Sequence, residues 1–83
     1  MQVTKVHQLI PGIWSVGADT GTVAALGTIR QTASGFAFRG QGAATSKARN
    51  ELALAGIRSH EWARDGFASI EDAVAYLNER LAA

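Results

Sequence analysis

The stretch Arg39-Gly40-Gln41-Gly42-Ala43-Ala44-Thr45-Ser46-Lys47 holds the residue types most suggestive of chemistry in this chain. Its glycines let backbone N–H groups converge, and it leads into a segment of helix formers, whose N-terminus would favour an anion. Arg39 and Lys47 flank it. The phosphate-binding P-loop needs Lys directly after Gly, whereas Lys47 follows Thr45-Ser46. The GxGxxG dinucleotide pattern is absent as well. The plain reading is a solvated loop; the sharper one is a loop that binds phosphate or carboxylate.

The other reactive side chains do not form a set. His7 and His60 are the only histidines, and a zinc site would need both plus Glu61 or Asp65. No cysteine exists, which removes thiolate chemistry, disulfides and cysteine-held metals. Ser34, Ser46, Ser59 and Ser69 lie outside any nucleophile elbow, and Glu61 has no paired carboxylate for glycoside cleavage. The sequence therefore implies no enzyme, no cofactor and no metal. Trp14, Phe36, Phe38 and Trp62 supply most of the aromatic area. Phe36 and Phe38 share a strand face and are expected in the core. Trp62, in the charged run His60-Glu61-Trp62-Ala63-Arg64, is expected to be exposed and to make a contact.

Positioning these residues falls to one small domain of 83 residues. Apolar residues make up 47%, but sixteen of them are alanine, so large apolar side chains are few. The net charge of +1 excludes a histone-like polycation and an acidic nucleic-acid mimic. Residues 30–64 nonetheless carry six basic residues against two acidic ones, and residues 65–83 four acidic against one basic. No apolar run reaches the ~20 residues of a membrane span, and no signal peptide is visible. A cytoplasmic protein without membrane contact is expected.

The fold expected is α+β: an antiparallel meander of three or four strands over residues 3–40, packed on a C-terminal amphipathic helix. Residues 3–10, 13–18, 23–32 and 36–39 read as strands, with turns at Pro11-Gly12, Asp19-Thr20-Gly21-Thr22 and Thr32-Ala33-Ser34-Gly35. In 23–32 both faces are partly apolar, which suggests a central strand, and Gly27 marks a bulge or a close crossing. Ser69 is an N-cap with Asp72 completing a capping box. Ile70, Ala73, Val74, Leu77 and Leu81 then form one helical stripe over about 70–82. A second short helix from a Thr45 cap to Ala55, stopped by Gly56, is favoured over a strand at Leu52-Ala53-Leu54-Ala55. Residues 57–62 read as a short edge strand or an irregular connection.

One pattern resembles a known family. Leu26-Gly27-Thr28-Ile29, Gly35-Phe36-Ala37-Phe38-Arg39 and Gly66-Phe67-Ala68-Ser69-Ile70-Glu71-Asp72-Ala73 are similar to the sheet and helix entry of the arm-type DNA-binding domains of phage tyrosine integrases and of the related plant ethylene-response-factor domains. The resemblance implies a three-stranded sheet on one helix, lying in the major groove, with DNA contacts from Arg30 and Arg39. It covers about a third of the chain, in pieces. Residues 40–64 depart from it as a long insertion, and the dense basic and Trp pattern of those domains is lacking.

Two functions follow. The first is a protein-binding accessory protein or inhibitor. Size, an Ala- and Arg-rich composition and the lack of enzyme motifs resemble small phage inhibitors such as anti-CRISPR proteins. Its basic segment would meet an acidic partner surface through Arg39, Lys47, Arg49, Arg58, Trp62 and Arg64, since Trp and Arg dominate binding hot spots. The alternative is a nucleic-acid-binding module whose segment 30–64 tracks phosphates. A homodimer is compatible with either, because the thin core leaves little buried area for a monomer.

Overall fold

A computed structural model describes residues 2–19, 23–40 and 52–83. Five strands run β1 (Val3–Ile10), β2 (Ile13–Asp19), β3 (Val23–Thr32), β4 (Gly35–Gly40) and β5 (Arg64–Phe67), followed by helix α1 (Ile70–Ala82). The strands form one sheet in the order β1-β2-β3-β4-β5, every pair antiparallel. The α+β meander with a C-terminal helix is therefore present. Its fifth strand was not legible: Arg64-Asp65-Gly66-Phe67 contains residues depleted in strands and no alternation. Pairing with β4 creates it, with Phe67 beside Phe36 and Arg64 beside Phe38.

Strand β3 is central, as expected, but for a different reason. Val16 pairs with Gly27 and Gly17 with Ala25, so Leu26 is the extra residue of a β-bulge. The bulge shifts the parity of the strand. Leu26 and Ile29, three apart, are both fully buried on one face, although an unbroken strand would point them to opposite faces. The apolar residues on two apparent faces thus belong to one core face. A Cβ at Gly27 would fall on the Arg39 carbonyl, which accounts for glycine at the bulge.

That face carries Val16, Ala18, Leu26, Ile29 and Phe38, and α1 covers it with Ala73 and Leu77. Phe36 and Phe38 both lie on it, Phe38 fully buried and Phe36 edge-on to Trp14 at 5.8 Å. Ser69 caps α1, its hydroxyl accepting from the Asp72 N–H at 3.1 Å. Ile70, Val74 and Leu81 flank the core half-buried. The Asn78 side-chain oxygen accepts the Val3 N–H at 2.7 Å, tying α1 to β1.

Residues 52–54 are helical, and the Thr45 start of that helix lies outside the described residues. Its end is a Schellman motif. The Ile57 N–H reaches the Leu52 carbonyl, the Gly56 N–H reaches that of Ala53, and Gly56 has φ 74°. Leu52 and Ile57, the two apolar partners of such a motif, are both buried. Residues 57–62 form no strand but a 3-10 turn at Ser59–Glu61. Ser59 is fully buried and its hydroxyl donates to the Leu26 carbonyl at 2.8 Å. No helix among the described residues is long and apolar enough to cross a membrane.

Candidate functional site: the sheet face opposite α1

Residues paired across an antiparallel ladder share a face, so the register defines the side opposite α1 row by row. One row is Lys5, Gly17 and Ala25. The next is His7, Ser15, Thr28 and Arg39. The third is Ile10, Ile13, Arg30 and Ala37. The centre of this face is made of small residues, Gly17, Ser15, Ala25, Thr28 and Ala37, which keep it flat. Lys5, His7, Arg30 and Arg39 stand exposed on it. None of the three rows contains a carboxylate.

The chemistry available is that of recognition. A guanidinium presents a planar fork of donors that fits carboxylate or phosphate bidentately. Arg30 and Arg39 provide two such forks on neighbouring strands, and Ser15 and Thr28 add hydroxyls that donate or accept. Ile10 is 57% exposed at the end of the third row, beside half-buried Ile13.

The structure divides the residues expected to bind. Arg39 lies on the open face and also lines a cleft of about 540 Å³ at the end of β4, with His60, Arg64 and Asp65. Its neighbour Gly40 packs on the 3-10 turn so closely that a Cβ there would fall on the Ser59 carbonyl. Arg64 shares the cleft, but its guanidinium sits 5.6 Å from the Phe67 ring centre and 5.2 Å from that of Tyr76. Arg58 pairs with Glu61 at 2.9 Å. Trp62 corrects the expectation of exposure: it is half-buried against the core and its carbonyl accepts the Tyr76 hydroxyl at 3.2 Å. Lys47 and Arg49, and most of the glycine-rich stretch, lie outside the described residues.

Lys5, His7, Ile10 and Ile13 were not picked out for this face. For Lys5, His7 and Ile13 the signal was alternation along the strand, while Ile10 reaches this face only through the register shift at Leu9. His7 was weighed only as a metal ligand. It stands on β1, whereas His60 lies on the turn against β4, with β2 and β3 between those two strands.

No family model, curated protein or solved structure matches this chain.

Proposed function

We propose that the chain is a small non-catalytic binding protein, a phage or bacterial accessory protein or inhibitor, that covers an acidic surface on a partner protein in the cytoplasm. The observation that carries this reading is the third row of the open face. There exposed Ile10 and half-buried Ile13 adjoin Arg30, one strand from Arg39, on rows free of carboxylates. Apolar groups beside arginine are the composition of a protein interface, where the apolar part is desolvated and the arginine supplies directed hydrogen bonds. A phosphate-tracking surface has little use for the isoleucines.

The test is affinity capture from nuclease-treated host lysate with the wild-type chain and with an Arg30→Glu/Arg39→Glu variant. A partner retained by the wild type and lost by the variant is expected. Loss of the partner on nuclease treatment would refute the protein reading.

A second reading, nucleic-acid binding, is favoured by one observation. Arg30 and Arg39, the residues that the integrase-type resemblance singles out, both stand on the sheet face opposite the helix. Duplex binding tighter than micromolar at physiological salt, removed by Arg30→Ala with Arg39→Ala, would put that reading first.

A further inference from the structure

We propose that β1 is a self-association edge: two copies pair their β1 strands antiparallel about a two-fold axis and form one continuous sheet. Strand β1 ends the sheet, and its outer side presents backbone N–H and C=O groups with no ladder partner among the described residues. Four large apolar side chains are exposed among those residues, and three belong to this strand: Val6 at 43%, Leu9 at 54% and Ile10 at 57%. Apolar exposure is thus concentrated on the one long strand whose hydrogen bonds are open.

The occupant that fits is a second copy. Antiparallel pairing of β1 with itself sets the same strand on both sides of the ladder and covers the same apolar groups in both copies. The opposite edge, β5, has only four residues, carries Arg64 and Asp65, and breaks register against β4. It offers β1 no comparable ladder, so the assembly closes at two copies instead of growing head to tail.

Charge selects the same arrangement. β1 carries Lys5 and no carboxylate. Parallel pairing in register would set Lys5 beside Lys5. In an antiparallel two-fold ladder paired residues share a face, so the axis passes through one residue that opposes itself. The regular stretch 5–8, bounded by register shifts next to Thr4 and Leu9, places that axis at Val6 or His7. An axis at Val6 would leave the two Lys5 residues two positions apart, roughly 7 Å, whereas one at His7 sets them four apart, roughly 13 Å, beyond the ~8 Å screening length of physiological salt, so charge selects His7. The two irregularities also keep the ladder short, which blunts the edge against open-ended aggregation. A short ladder of this kind makes a small interface and a weak dimer, with a dissociation constant of about micromolar.

Sedimentation velocity over a concentration series tests this. A monomer–dimer equilibrium is expected, and Leu9→Lys should raise the dissociation constant at least about tenfold, a change of about 1.4 kcal/mol, with an unchanged circular dichroism spectrum. Leu54→Lys, at the remaining exposed apolar side chain, should leave the equilibrium intact. The chain has no cysteine, so single cysteines report geometry directly. On oxidation, His7→Cys should give a disulfide-linked dimer and Lys5→Cys should not. A wild type that stays monomeric throughout overturns the proposal, as does a Leu9→Lys variant that dimerises normally. So does crosslinking through Lys5→Cys as fast as through His7→Cys. A monomer that still captures its partner would leave the binding function standing and end this inference alone.

Discussion

The Ser59 hydroxyl donates to the Leu26 carbonyl across 33 positions of sequence, at a site that water does not reach. Leu26 is the extra residue of the β3 bulge, and Ser59 opens the 3-10 turn before β5. The bond therefore satisfies an acceptor at an interrupted ladder and pins the connection between β4 and β5 to the centre of the sheet. Ser59→Ala leaves that carbonyl buried and unpaired. We expect a loss of about 1–3 kcal/mol in urea denaturation, with the slope unchanged.

Glycine at position 40 is required by space, at position 56 only by backbone conformation. A Cβ at Gly40 would overlap the Ser59 carbonyl, while one at Gly56 meets nothing within 4 Å. Gly56→Ala should therefore cost only the left-handed backbone penalty of about 1–2 kcal/mol. Gly40→Ala should lower the melting temperature considerably more, because backbone must move against backbone. Equal effects in thermal melts would mean that the turn does not sit on β4.

Along α1 the deepest contacts are Ala73 and Leu77, not the flanking Val74. Leu77→Ala should cost about 2–5 kcal/mol, as truncation of a fully buried leucine does. Val74→Ala should cost less than Leu77→Ala. Ser69→Ala should cost about 1 kcal/mol through loss of the cap. Chemical denaturation of the three variants ranks them directly.

The arginines should separate into two groups. Arg58 and Glu61 form an ion pair with both side chains largely in solvent, so Arg58→Ala should change stability by about 0.5 kcal/mol or less. Arg64→Ala removes a cation from two aromatic rings and should cost about 0.5–1 kcal/mol. Neither should weaken partner capture. Arg30→Ala with Arg39→Ala should leave melting within about 0.5 kcal/mol of wild type and slow association with the partner, an effect read as a lower on-rate in binding kinetics.

The regular elements were legible because each rests on a local rule. Alternation marked β1 to β4, and the Ser69 cap with a 3.6-residue stripe marked α1. What escaped depends on contacts between distant segments. β5 exists because β4 offers an edge to Arg-Asp-Gly-Phe, and the true faces of β3 depend on where the bulge falls. The site was harder for the same reason. Arg58, Trp62 and Arg64 form a conspicuous run in sequence; in the fold Arg58 pairs with Glu61 in solvent, the Trp62 carbonyl accepts from Tyr76, and Arg64 lies near the Phe67 and Tyr76 rings. Arg30 and Arg39, nine apart in sequence and both named by the integrase-type resemblance, come to adjacent strands of one face through the β3–β4 hairpin.

The order of elements along the chain also sets a schedule for synthesis. β1 to β5 all precede α1, so during translation the sheet leaves the ribosome with Val16, Leu26, Ile29 and Phe38 unlidded. Even the first strand waits, since the Val3 N–H finds its partner in Asn78, seventy-five residues later. Such distant closure is slow and leaves apolar strands bare in the interval. A nascent chain stalled before residue 70 would therefore be a sticky, chaperone-dependent species, and cooperative folding would begin only once α1 has been made.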